Sequence, residues 1–382
     1  MPFFPEVSIF SRSREEWSQL LYDDREMCSK PGPIGYSISL TTAHMIAAPI
    51  YVVAFYTLYS EKSSNFKVYK RYLATHAVSN IIFEIHLSVV MKPVLYLPYP
   101  TIRFTGIYTL RYVNGGITFF IFLLIIVVTC WSIVELFHYR FKLIVDSNLC
   151  STWVKRASKI AAVNRWTLIF LTITTVCSLA LSVVGLFDQT SHKMKFPILD
   201  QYPEILCMSA LVLPKSSDTG LKPIHLFNGS ALLSVIVGSF VCSFMGGTSL
   251  LALRDMVLQI RASMRTVAMH KAFLISLFCQ ISVHGIMLGF PVFIYIVSVI
   301  FNFNGNGHSL FSKTKESISL PEVGYVAIVV ASLHGTMSTL AMVLLNRPLY
   351  EIFLSKIWSI FSPNNVFIRD QSSFVSMGAS RF

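Results

Sequence analysis

Residues 112–134 read YVNGGITFFIFLLIIVVTCWSIV, and no charged side chain stands between Arg111 and Glu135. Roughly 20 residues at 1.5 Å rise each are needed to cross ~30 Å of hydrocarbon. A helix meets the further demand that every backbone polar group on the way be satisfied within the segment. The stretch therefore predicts a membrane-spanning helix. Six more stretches carry the same signature, so the predicted spans are 34–59, 73–97, 109–134, 166–187, 227–253, 272–301 and 323–345. Composition agrees: 54% of the 382 residues are hydrophobic and 13% are charged, about half the usual charged share, which excludes an ordinary soluble globule. Thirty Phe and 16 Tyr suit lipid-facing and interfacial surfaces. The expected fold class is an all-α membrane protein, a seven-transmembrane helix bundle. Loops between spans are too short for a separate domain, so 1–33 is expected as an outer segment, 34–345 as the bundle and 346–382 as an inner tail.

A net charge of +12 raises the question of nucleic acid, but the basic residues are scattered among loops instead of forming one patch. The membrane explains them better, and no nucleic-acid partner is expected. With the N-terminus outside, the inner segments 60–72, 138–165, 254–271 and 346–382 hold 18 Lys and Arg against 5 acids. The outer segments hold 13 against 12. The basic excess belongs on the cytoplasmic side, so N-out, C-in is expected. Residues 1–33 contain six acids and no unbroken apolar run, so the first span is expected to direct insertion. After the last span, RPLYEIFLSKIWSIF (Arg347–Phe361) repeats apolar residues at Leu349, Ile352, Phe353, Ile357 and Ile360. That spacing predicts a short amphipathic helix on the inner leaflet, followed by a disordered tail.

Of seven cysteines, Cys28 and Cys207 alone fall in outer segments, where a disulfide persists. They are expected to pair; two free or separately buried thiols are the alternative. Asn228, in the sequon Asn228-Gly229-Ser230, is external but close to the membrane, which leaves glycosylation open. Glu84 in the second span needs a partner or a wet cavity, because a carboxylate in hydrocarbon is costly. It reads equally as a pocket group or as a neutral structural hydrogen-bonder. Gln280, His284 and His334 are further pocket candidates, against the commoner role of interhelical hydrogen bonding. Lys92 and Arg111 flank the first outer loop and either attract anionic ligand groups or snorkel to headgroups. Pro291 kinks the sixth helix and offers a hinge. At the inner end of the third helix, Arg140 either locks helices three and six together or meets a cytoplasmic partner. The histidines of the spans are expected at different depths. With no Lys in the seventh span, no Asp in any span, and no GxSxG, HExxH or phosphate loop, retinal attachment and the common hydrolase chemistries lose their residues. No enzyme, cofactor or metal is expected.

HGTMSTLAMVLLNRP (334–348) resembles the helix-seven signature of the nematode seven-helix chemoreceptors, serpentine receptor class H, within a superfamily that also holds class I. FLISLFCQISVHGIMLGFPVFIYIVSVIFNFNGN (273–306) resembles that family's sixth helix, with Gln280 and Pro291 in place. PVLYLPYP after the second span and ELFHYRF after the third add to the likeness, which runs from about residue 28 to 361. Two departures are visible: Glu84 stands where relatives often have Asp, and Pro348 is followed by Leu349 and Tyr350 instead of Tyr-Arg. The resemblance implies a G-protein-coupled-receptor-like fold, a small environmental ligand, a sensory neuron with ciliary targeting, and coupling to a heterotrimeric G protein. In that coupling Glu135, His138, Tyr139 and Arg140 are the candidates. A homo- or hetero-dimer stands open beside a monomer, and membrane lipids are partners in any case. The rival readings are an odorant-gated channel, which places its N-terminus inside, and an intramembrane zinc-dependent lipid hydrolase.

Overall fold

The computed structural model describes residues 28, 31–62, 67–96, 101–107, 113–147, 152–185, 203–212, 223–260, 264–293 and 320–361. Among the described residues, seven helices are long and apolar enough to cross a membrane. In chain order these are α1 (Ile34–Ser60), α2 (Lys67–Ile85), α3 (Gly115–Ser147), α4 (Thr152–Gly185), α5 (Pro223–Ile260), α6 (Met264–His284) and α7 (Leu320–Leu345), followed by the short α8 (Arg347–Phe361). An odd number of crossings puts the entry to α1 and the exit from α7 on opposite faces, called here the N-side and the C-side.

Helices α1, α4 and α5 are apolar nearly all round, as expected where one face meets protein and the other meets acyl chains. Their outward stripes recur at helical spacing: Ile38, Met45, Val52 and Tyr59 on α1, and Val163, Trp166, Phe170 and Ile173 on α4. The largest buried cluster fills the C-side half, around Leu136, Phe137, Leu253, Leu277 and Met342. α8 is the most amphipathic of the helices. It seats Leu349 fully, and Phe353 partly, in that cluster.

Several boundaries differ from the hydropathy reading. α3 starts at Gly115, not 109, and runs on to Ser147. α4 starts at Thr152, fourteen residues before the expected 166. The helices outrun the hydrocarbon because Lys142, Lys155, Arg156 and Lys159 suit a water-facing helix as well as a loop. α2 ends in a π turn (His86–Met91), and Lys92 then reverses the chain at φ 41°. Residues 93–95, expected as the end of the second span, instead form a strand.

That strand, β1 (Pro93–Leu95), pairs antiparallel with β2 (Thr101–Phe104), which pairs antiparallel with β3 (Ala210–Val212). The sequence reading contained no strand. Leu95, Ile102 and Leu211 are successive cross-strand partners, and they pack with Phe119, Leu179 and Phe227 of α3, α4 and α5. Val94 and Val212 turn the other way, onto Tyr36 and Leu40 of α1 and Tyr325 of α7. Period-two alternation thus gives the sheet two apolar faces, and it plugs the N-side mouth of the bundle. Gly106 follows β2 where a Cβ would overlap the Val90 carbonyl, so only glycine lets the strand close against α2. Cys28 is bonded to Cys207, with Cα atoms 5.6 Å apart and 179 residues between them in sequence.

Candidate functional site

The polar residues of the spans gather along the inner faces of α2, α6 and α7. Glu84, 1% exposed, is ringed by side chains from two other helices. Its Oε2 accepts from the Tyr51 hydroxyl of α1 at 3.0 Å and from Thr336 of α7 at 2.8 Å. Its Oε1 lies 3.4 Å from Nδ1 of His44, whose side chain is 31% exposed. Gly335 makes this possible. A Cβ there would stand 2.7 Å from the Tyr51 oxygen and 3.1 Å from the Asn80 Cβ, so a larger residue would force α1 and α2 away from α7.

Beside this junction three imidazoles come together, His334 packing edge-on against Phe83 at 4.4 Å. The His76 and His284 rings are 5.4 Å apart and the His284 and His334 rings 5.0 Å. The expectation that the span histidines lie at different depths is therefore corrected for these three. α2 and α6 run in opposite directions from α7, which brings together positions that a chain-order count separates. His76 bonds Ser132 of α3 at 2.7 Å and Ser338 of α7 at 3.0 Å. His284 and His334 each set Nδ1 against a carbonyl of their own helix, Gln280 at 2.9 Å and Ala331 at 2.7 Å. A carbonyl only accepts, so Nδ1 carries the hydrogen and Nε2 offers a bare lone pair. Both Nε2 atoms are buried without a partner. Further along, Gln280 and Asn346 both donate to Ser276, at 3.0 and 3.1 Å. Among the described residues no set of three or more His, Cys, Asp and Glu stands in metal-ligating geometry.

The remaining candidates are dispersed. Lys92 points its ammonium at Ser37 and Thr41 of α1, at 3.3 and 3.4 Å, away from the polar column. Arg111 lies outside the described residues. Asn228 falls in the second turn of α5, a helix and not the loop in which an acceptor asparagine is usually found. In the sheet, Arg103 approaches Glu204 at 3.7 Å. Burial holds the Tyr96 phenol above its usual range, so it remains a donor, to Glu204 at 3.4 Å. Pro291 follows a π turn at Gly285–Gly289 in α6. Proline has no N–H and crowds the carbonyl four residues back, and a π turn absorbs that clash. The sequence reading singled out Pro291 but not this distortion.

At the C-side end of α3 the four residues of one short run part company. Arg140, 4% exposed, lies over the ring of Tyr69 of α2 at 3.5 Å and the ring of Phe273 of α6 at 3.9 Å. Glu135 and His138 face α4: Arg165 donates to Glu135 at 2.6 Å, and its other terminal nitrogen lies 2.9 Å from His138 Nε2. Tyr139 stacks on Tyr69 and meets Tyr72 of α2 at a tilt. Sequence reasoning singled out Arg140 but neither of its aromatic partners. Tyr69 lies outside the quoted motifs, Phe273 only opens the sixth-helix stretch, and the two sit 71 and 133 residues from Arg140 in the chain.

Seven antiparallel spans, a buried polar column through α2, α6 and α7, and a charged residue clasped where three helices meet define a seven-helix membrane receptor. Residues 32–359 match the family of the serpentine type 7TM GPCR chemoreceptor Srh, and the chain belongs to that family. Neither the curated proteins nor the solved structures contain a match. Membership makes the protein a multi-pass chemosensory receptor, of a family that is not enzymatic.

Proposed function

We propose that the N-side faces the cell exterior and that a small environmental molecule binds in the N-side half, against Glu84, His284 and His334. The C-side half then engages a heterotrimeric G protein through Arg140, with Glu135, His138 and Tyr139 beside it. The Cys28–Cys207 bond supports the orientation, since disulfides persist on the oxidising side of a plasma membrane. The lone pairs of His284 and His334 favour a ligand carrying a hydrogen-bond donor. One observation carries the coupling half of the reading: Phe273, which covers Arg140, belongs to the same helix as the π turn and Pro291.

Ligand bound beside His284 favours a state in which α6 pivots near the π turn and its C-side end moves outward. That motion strips Phe273 from Arg140 and opens the cleft among α2, α3 and α6. The response cannot exceed the ligand's differential affinity for the two states: moving an equilibrium from 1:99 to 99:1 takes about a 10⁴-fold preference. A screen of volatile and water-soluble chemicals, read by calcium in cells expressing the chain, supplies the agonist. Nucleotide exchange on G-protein α subunits in reconstituted membranes then tests the coupling. Agonist-dependent exchange on at least one subunit is expected. A ligand that binds and leaves exchange unchanged on every subunit overturns the reading.

A further inference from the structure

Two adjoining cavities, about 440 and 400 Å³, lie at the C-side end of α3 and α4. Tyr72, Glu135, Tyr139 and Leu143 line the first alone, and Ala161, Trp166, Ile169 and Met245 are among the walls of the second. Both share His138, Lys142, Asp146 and Arg165. Space with a charged rim therefore continues into an apolar trough, and the trough opens beside Trp166, which is 71% exposed on the lipid-facing stripe of α4. That is the outline of an amphiphile.

The shared rim fixes what kind of headgroup fits. His138 Nε2 faces a guanidinium N–H, so it accepts, and the hydrogen is on Nδ1. That Nδ1–H and the Nε–H of Arg165 are both shut from solvent with no acceptor. Lys142 adds an ammonium four residues before Asp146 on the same face of α3. Such a pair commonly closes on itself, although this order of charges is the less favourable one. Here neither side chain makes an ion pair among the described residues, and both are exposed. The walls thus hold two buried N–H groups without an acceptor and an exposed ammonium; of their two carboxylates, Glu135 is taken by Arg165 while Asp146 makes no ion pair among the described residues.

We infer that this cleft is a binding site for a phosphoethanolamine-headed phospholipid of the C-side leaflet. Its phosphate takes the donors of His138, Arg165 and Lys142, its primary ammonium meets Asp146, and an acyl chain lies along Ile169 and Trp166. A purely anionic headgroup leaves Asp146 facing negative charge. A choline headgroup offers that carboxylate no N–H. The site shares His138 with the proposed G-protein face, but lipid retention is read on the receptor alone, without ligand or G protein, so its failure and the failure of that reading are distinguishable.

The test places the purified full-length receptor in nanodiscs of equimolar phosphatidylethanolamine, phosphatidylcholine and phosphatidylglycerol with identical acyl chains, and counts retained lipids by native mass spectrometry. Phosphatidylethanolamine is expected to be enriched at least threefold over the other two. On the unaltered protein, stepwise N-methylation of the headgroup is expected to erase the enrichment. Asp146→Asn is expected to bring the ethanolamine-to-choline ratio near one, and Lys142→Gln to lower retention of all three lipids. Lys356→Gln, a change on α8 away from the cleft, leaves the pattern intact. Preferential retention of phosphatidylglycerol, retention that ignores N-methylation, or a ratio unmoved by Asp146→Asn in a protein of unchanged melting temperature overturns the site.

Discussion

Glu84 shows how far a single residue can be read. A carboxylate in hydrocarbon announces that it needs partners, and this was legible from the second span alone. Its partners Tyr51 and Thr336 were not, because they lie 33 and 252 residues away in otherwise ordinary apolar helices. Removing the acceptor leaves two buried hydroxyls unsatisfied, at about 1–3 kcal/mol. Glu84→Ala is therefore expected to lower the thermal midpoint of the detergent-solubilised receptor by several degrees. Glu84→Gln, which keeps an acceptor oxygen, is expected to lose less than half as much. Equal losses in a thermal melt would mean that charge, and not hydrogen bonding, holds this junction. Gly335→Ala is a companion test: its Cβ presses on the Tyr51 oxygen, and overpacking of this kind costs about 1–3 kcal/mol. Restoration of the midpoint by Tyr51→Phe in the Gly335→Ala background would identify that oxygen as the obstacle.

Among the elements, the helices were readable and the sheet was not. Each span carries roughly 20 apolar residues of its own. The strands are three, four and three residues long, too short for alternation to register, and β3 reaches its partner from more than 100 residues further along the chain. The π turn before Pro291 was hidden for another reason, since proline marks a place without stating how the backbone accommodates it. α6 is the element on which signalling depends in the proposed mechanism. A desolvated cation–π contact contributes about 2 kcal/mol, which corresponds to roughly a thirtyfold change in an equilibrium. Phe273→Ala is accordingly expected to raise agonist-free nucleotide exchange by fivefold to thirtyfold, read with purified G protein. Arg140→Ala is expected to abolish agonist-stimulated exchange while leaving ligand affinity within about threefold. Basal exchange unchanged by Phe273→Ala would remove the clasp from the mechanism.

At the scale of the whole molecule, the sheet and the Cys28–Cys207 bond close the N-side mouth, while the charged rims and α8 occupy the C-side. Cys28→Ser cuts the tie between residue 28 and the turn that precedes β3 in the α4–α5 connection. Loss of a native disulfide commonly costs 2–5 kcal/mol. Reducing agent is expected to lower the midpoint of the unaltered receptor and to leave that of Cys28→Ser unmoved. The count of crossings was legible from hydropathy, while the distribution of Lys and Arg gives the expected sidedness on which the proposal rests. The three-histidine contact and the Arg140 clasp were not, because both are made by helices meeting across the bundle. All of the account rests on an odd number of crossings with the beginning of the chain outside. Epitopes fused before Met1 and after Phe382 test it directly. Antibody labelling of the first on intact cells, and of the second only after permeabilisation, is the expected result; labelling of both ends, or of the second alone, on intact cells would contradict it.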